Sequence, residues 1–253
     1  MPQLQRLPIP SADRIRLCVA LLALTAGASA CQKNEVVAQD RRIAVMSALP
    51  LFGTTAEPDA ILNGPDQRAA IIQTLSELYH VTPLARLDAP LLAKSAILIL
   101  AQPRILSGEE LVALDTWVRN GGRVLVFTDP ELLWPSDLPL GDPRRAPPIG
   151  LLDPLLAHWG LALESPAMSD AGPVQTVKLG DAKLAVAWAG RWTLAKPGCR
   201  VEAEGLVAAC RIGKGRALLV ADADLLDDRL WAESGVDNES VILALIARVA
   251  AAK

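Results

Sequence analysis

The sequence predicts an α/β protein built on a mostly parallel, three-layer sheet with an added β-hairpin region. Short, almost wholly apolar runs recur along the chain: RIAVMS at 42–47, SAILILA at 95–101, RVLVFT at 123–128 and RALLVA at 216–221. Such unbroken hydrophobicity marks strands covered on both faces, as parallel strands are. Between several of them the apolar residues fall at helical spacing. Hydrophobic residues make up 51% of the chain and aromatic residues only 4%, so Ala, Val, Leu and Ile must fill the core.

The elements follow in order. Arg42–Ser47 reads as the first strand and 51–63, with Gly53 and Pro58, as a loop. Residues 66–79 place Ala69, Ile72, Leu75 and Leu78 on one helical face, and 81–85 reads as an edge strand before a short helix at 87–94. After the strand 95–101, Ser107 and Glu110 have the spacing of a capping box, in which each side chain satisfies the other's free backbone N–H. Leu111, Leu114, Trp117 and Val118 line one face of the helix so opened, Gly121-Gly122 stops it, and the strand 123–128 completes a βαβ unit. Residues 130–148, rich in Pro, Gly and Asp, form an irregular excursion. A helix over 151–159 closed by Gly160, strands at 161–164, 174–179, 183–188 and 216–221, and a helix over 238–251 complete the chain. No internal repeat or linker divides 42–253, which reads as a single domain.

The first 30 residues read as a signal. Arg6, Arg14 and Arg16 precede an apolar run from Leu17 to Ala28, too short to cross a bilayer. Ala28-Ser29-Ala30-Cys31 resembles a lipobox, with Ala28 where Leu is usual, and implies lipidation at Cys31; the same Ala-x-Ala also suits ordinary signal peptidase. Residues 31–41 then form a polar tether. Gln32 rather than Asp after the cysteine favours the outer membrane, so the expected setting is the bacterial cell envelope, facing the periplasm, with two acyl chains holding the protein to the membrane. Removing residues 1–30 takes away Arg6, Arg14, Arg16 and Asp13 and leaves 22 basic against 27 acidic residues. That balance disfavours nucleic acid, which calls for a basic surface.

Cys199 and Cys210 lie in CRVEAEGLVAAC. Folded as a hairpin about Glu204-Gly205, this segment sets Val201 opposite Ala208 and Cys199 opposite Cys210, within disulfide reach in an oxidising compartment.

Chemistry-bearing residues are sparse. With two histidines and four cysteines, one of them in the signal, no metal ligand set is read. His80 reads as a helix end and His158 as a packing residue beside Trp159. Gly213-Lys214-Gly215-Arg216 lacks the spacing and following helix of a phosphate loop and reads as a tight turn. Asp222, Asp224, Asp227 and Asp228 are the richest polar cluster. Asp222 and Asp224 follow a buried strand, at the carboxyl edge where open α/β sheets bind ligands, and Asp129 ends another. These carboxylates suit either a cation or capping of the helix that follows, with Asp224 at its start. Trp188 and Trp192 flank Gly190-Arg191 in a segment read as a loop, where they either anchor a partner or fill the core beneath it.

The stretch LSGEELVALDTWVRNGGRVLVFTD (106–129) resembles the class I glutamine amidotransferase-like fold. With GLLDPLLAHWGLAL (150–163), RIGKGRALLVADADLLDDRL (211–230) and Asn238 opening the last helix, it is similar more narrowly to the auxiliary domain of uncharacterised ABC-type transport systems of the gliding-motility type. The resemblance implies a flavodoxin- or amidotransferase-like sheet. It also implies that the nucleophilic cysteine of the enzymes falls at Thr128, where this chain has no Cys and has Pro130 for a glycine, and that an activating histidine lies late in the chain, where the last histidine here is His158. No catalytic residue and no cofactor is therefore expected. The expected function is a non-catalytic envelope component with a protein partner, for which the resemblance implies an ABC-type transport setting. The alternatives are a small-ligand or cation module at Thr128, Asp129, Asp222, Asp224 and Asp227, or, less favoured, a carboxylate-dependent hydrolase. Mature protein isolated from membranes is expected to carry a diacylglyceryl group on Cys31 by intact mass; unlipidated protein in the cytosol would remove that setting.

Overall fold

The computed structural model describes residues 41–53, 68–139, 141–166, 173–232 and 235–251. The signal, Cys31 and most of the tether lie outside these residues, as do much of the loop expected at 51–63 and the first two residues of the helix expected from 66.

Five parallel strands form the centre of a seven-stranded sheet: β1 (Arg42–Ser47), β2 (His80–Pro83), β3 (Ile97–Ala101), β4 (Arg123–Phe127) and β11 (Gly215–Val220). They stand in the order β2-β1-β3-β4-β11, that of flavodoxin-like doubly wound sheets. Beyond β11 the sheet turns antiparallel through β10 (Val207–Ile212) and β9 (Cys199–Glu202). Successive side chains of a strand point to opposite faces, so every second residue belongs to a separate core. On one face Ile43, Ile99, Leu125 and Phe127 pack beneath α1 (Ala70–Leu78) and α5 (Asn238–Ala250). On the other, Met46, Leu98, Val124 and Val126 pack beneath α2 (Ala89–Leu92), α3 (Gly108–Arg119) and α4 (Asp153–Trp159). The result is the three-layer α/β arrangement that the sequence predicts.

Two small antiparallel sheets lie against these cores: β5 (Leu161–Glu164) pairs with β8 (Arg191–Leu194), and β6 (Val174–Leu179) with β7 (Ala182–Ala187). The segment read as a loop around Gly190-Arg191 is thus corrected: β8 begins at Arg191, and Trp192 sits opposite Leu163 with 2% of its surface exposed. α1 begins at Ala70 rather than earlier, because Ala69 is extended (ψ 145°) and carries no capping side chain. His80 opens β2 instead of ending the helix.

The capping box forms as read. Ser107 Oγ accepts from the Glu110 N–H (3.2 Å) and Glu110 Oε2 from the Ser107 N–H (2.9 Å). The same carboxylate takes a two-pronged contact from Arg104 (2.7 and 2.9 Å) and accepts from the Leu87 N–H (3.0 Å), so it ties the approach to α2 to the start of α3. The Arg104 contact, ahead of the backbone donors, holds Glu110 down at about 2. At the far end of α3, the chain returns through the Gly213-Lys214 turn into β11. A Cβ on Gly215 would stand 1.9 Å from the Val118 carbonyl oxygen and 2.4 Å from that of Gly122. Glycine is required there because two backbones meet.

The hairpin carrying the cysteines has the expected register, Cys199 opposite Cys210 and Val201 opposite Ala208. Its turn places Glu204 (φ 56°) and Gly205 (φ 108°) in the left-handed region. The two cysteines are disulfide-bonded with Cα atoms 4.0 Å apart. The bridge fastens β9, the last strand of the sheet, to its only sheet neighbour. Opening it by Cys199→Ser with Cys210→Ser is expected to lower unfolding free energy by about 3 kcal/mol, from the chain entropy of a loop this short, measured by urea unfolding. Glu110→Ala is expected to cost about 2–4 kcal/mol by leaving Arg104 and two N–H groups without their acceptor, by the same measurement.

Candidate functional site

The carboxyl ends of β4 and β11 lie side by side, with Phe127 opposite Val220. Each strand runs on into residues that are polar and fully buried: Thr128 and Asp129 after β4, Asp222 after β11, with Asp224 close behind. Asp129, Asp222 and Asp224 are neighbours at this edge. Their oxygens are occupied by the protein's own backbone. Asp129 accepts from the N–H groups of Glu131 (2.8 Å) and Ala223 (3.1 Å). Asp222 accepts from Ala187 at the end of β7 (2.8 Å) and from Leu225 (2.5 Å), and Asp224 accepts from Leu133 in the excursion (2.7 Å). Capping is therefore done by Asp222, three residues before its donor, while Asp224 reaches across the sheet edge. Asp227 stands apart in an ion pair with Arg229.

Two residues that the sequence reading did not assign to this edge complete it. Gln102, directly after β3 and strained at φ 40°, accepts from the Asp129 N–H (2.8 Å) and donates to the Pro147 carbonyl (3.0 Å). Asn238 spans from α5 to both backbone groups of Ala185 (2.8 Å each) and to the Leu225 carbonyl (3.2 Å). The signal available for Gln102 is a polar residue immediately following a wholly apolar strand.

Burial, with the Asp224 charge as the further raising influence, pushes Asp129 up to about 7. Burial, then the charges of Asp129 and Asp224, carries Asp222 well above the ordinary carboxyl range. Burial lifts Asp224 to about 6. Neighbouring carboxyl groups withdrawn from water hold protons because ionising them all would set like charges together in a poorly solvating interior.

Thr128 is fully buried, its Oγ1 has no hydrogen-bond partner, and Gly150 lies so close that a Cβ there would be 2.3 Å from that oxygen. The hydroxyl has no open path to a substrate. His158, read as a packing residue, is instead half-exposed on the surface of α4, beside Arg119 (2.9 Å) and Asp115 (3.6 Å). Trp188 is half-buried at φ 45°. Trp192 is buried, which removes it as an exposed anchor for a partner. Among the described residues no group of three His, Cys, Asp or Glu is placed to hold a metal ion.

Open space lies beside this filled edge. A cavity of about 560 Å³ sits between the turn after β1 and the excursion, its wall including Leu49, Leu132, Trp134, Asp137, Arg144 and Arg145. A second, of about 460 Å³, shares Pro50, Trp134 and Pro135 with it and reaches Asp227 and Arg229. Trp134 and Asp137 belong to the walls of both. In sheets with this strand order the crevice for ligands opens at the carboxyl ends, where the connections from β1 diverge to the two faces.

Residues 40–188 match the family described as an ABC-type uncharacterized transport system, more than half of the chain. The chain belongs to that family. No curated protein matches this ABC-type transport-system protein by sequence. Among solved structures it is similar to an exo-β-1,4-mannosidase from Opitutaceae bacterium strain TAV5 (15% identity, TM-score 0.45, 82% of this chain and 35% of that one). It is also similar to a β-galactosidase from Rahnella sp. R3 (12% identity, TM-score 0.47, 83% and 31%). A third similar structure is a cytoplasmic protein of Salmonella typhimurium LT2 (9% identity, TM-score 0.46, 82% and 99%). The chain spans about a third of the length of the two glycosidases.

The raised carboxyl groups give the folded state protons that the unfolded chain releases. Stability from this source is full below the ordinary carboxyl value of 3.8 and is lost as pH rises through about 7. Glu110, held at about 2, acts only on the acid side of that window. The unfolding free energy from urea titrations is therefore expected to fall between about pH 5 and about pH 8, by on the order of 3 kcal/mol. Asp222→Asn, which cannot ionise, is expected to flatten the slope.

Proposed function

We infer that this member of the family is a non-catalytic, lipid-anchored component of the cell envelope that binds a protein partner of an ABC-type transport system. The observation that carries the reading is the state of the carboxyl edge: where the resemblance sets a nucleophile, Thr128 is sealed behind Gly150, and the neighbouring carboxylates hold backbone rather than substrate. The family match supplies the transport setting. The signal-like segment with Cys31 favours export and anchoring. Carboxylate-only hydrolysis draws no support from aspartates so enclosed, since a general acid or base must come within hydrogen-bond reach of its substrate.

Tagged full-length protein, cross-linked in its native membranes and purified, is expected to bring down an ABC ATPase or permease encoded beside it. Recovery of neither component would overturn the reading.

A further inference from the structure

Three neighbouring strands set three arginines in a row at the amino end of the parallel sheet. Arg123 opens β4 level with Arg216 on β11, and Arg216 is level with Arg211 on β10. Residues level on adjacent strands turn to the same face, and like charges so placed repel. Arg216 donates to the Ala251 carbonyl at the end of α5, whereas among the described residues Arg123 and Arg211 have no carboxylate partner. Lys214, exposed in the turn between β10 and β11, adds a fourth positive charge. Arg41 and Arg42 stand at the start of β1, at the same end. The carboxylates of this pole are few. Asp115 is held by Arg119 (2.7 Å) and the Trp159 indole (2.8 Å), Glu77 lies in the last turn of α1 by the edge strand β2, and Asp40 precedes Arg41 in the chain. The aspartates at 129–142 and 222–228 stand at the opposite, carboxyl end, after β4 and β11.

We propose that this pole lies on the membrane, its arginines and Lys214 meeting the phosphates of anionic phospholipid headgroups. The proposal rests on the membrane-anchored reading given above and adds to it the face that the protein turns to the bilayer. Two observations select a bilayer. The chain enters the domain at Arg41, so a lipid on Cys31 is joined to this pole by ten residues, a reach of at most about 35 Å. The second is the charge: with 22 basic against 27 acidic residues in the mature chain, only a local cationic face can draw the molecule to an anionic surface. A guanidinium presents N–H groups in a fixed fork that fits a phosphate. Each Lys or Arg close to such a surface strengthens binding roughly fivefold, and the gain fades beyond a Debye length. The carboxyl pole, with the space beside Trp134, then faces away from the bilayer.

The test uses the mature protein with Cys31→Ser, which cannot carry lipid, and co-sedimentation with vesicles of phosphatidylcholine, either alone or with about a third phosphatidylglycerol. Binding to the anionic vesicles is expected to be at least about tenfold tighter, and added salt should remove the difference by screening. Arg211→Gln with Lys214→Gln is expected to weaken binding to the anionic vesicles at least about tenfold. Arg86→Gln with Arg144→Gln takes the same charge from exposed, ion-paired residues beyond the carboxyl ends of β2 and β4, and should change binding by less than about twofold. Thermal unfolding of each variant confirms that it is folded. Equal binding to the two kinds of vesicle, or an equal loss in the two double variants, overturns the proposal. Unchanged vesicle binding by the Arg211–Lys214 variant, with loss of the transport component in the membrane pull-down, assigns the pole to a protein partner and also overturns it. Cys31 recovered without lipid from native membranes strikes the anchoring reading alone, since the vesicle measurement uses a chain that bears none.

Discussion

Where β4 and β11 leave the sheet, several backbone N–H groups turn inward, away from water, and a buried donor without an acceptor is costly. Asp129, Asp222 and Asp224 receive the N–H groups of Glu131, Ala223, Ala187, Leu225 and Leu133. Three segments beyond the parallel sheet are fastened by that exchange. The β6-β7 hairpin is tied in at Ala187, the excursion at Glu131 and Leu133, and the turn after β11 at Ala223 and Leu225. The burial that makes these acceptors effective also raises their pKa values above the ordinary carboxyl range, so the same groups that organise the edge make its strength depend on acidity.

The arrangement sets a closed edge beside open space at one end of the molecule. The carboxyl edge at β4 and β11 is closed by internal hydrogen bonds. The neighbouring space, bounded by the turn after β1 and by the excursion, stays open around Trp134. Asp224 belongs to both: its backbone follows β11, and its carboxyl group supports the residue next to Trp134. A buried Thr128, with Gly150 packed against it, thus lies beside open space at the same end of the sheet.

How far the sequence discloses this depends on the range of each interaction. The β3-α3-β4 unit is legible because its signals are local: an apolar run, Ser107 and Glu110 three residues apart, and a glycine stop. The disulfide hairpin is legible because its register is set by a turn eleven residues or fewer from every partner. The grouping of Asp129 with Asp222 is partly legible, since both follow buried strands that a parallel sheet brings together. What those carboxylates bind is not. Asp224 looks like a helix cap from its neighbours, yet its donor is Leu133, 91 residues away, and Asp222 takes Ala187, 35 residues away. β8 is hidden for a related reason: four residues containing one buried tryptophan have no periodicity until β5 is placed beside them. Arg145 lies in a stretch whose composition announces only irregularity.

The contact of Gly215 with Val118 and Gly122 bears on how such a chain can change over evolutionary time. At that pole, two main chains touch so closely that one methyl group has nowhere to go. The opposite pole accommodates a connection as long as 130–148. A lengthened side chain is therefore excluded at Gly215, whereas the connection at the other pole carries no such backbone contact at Gly141.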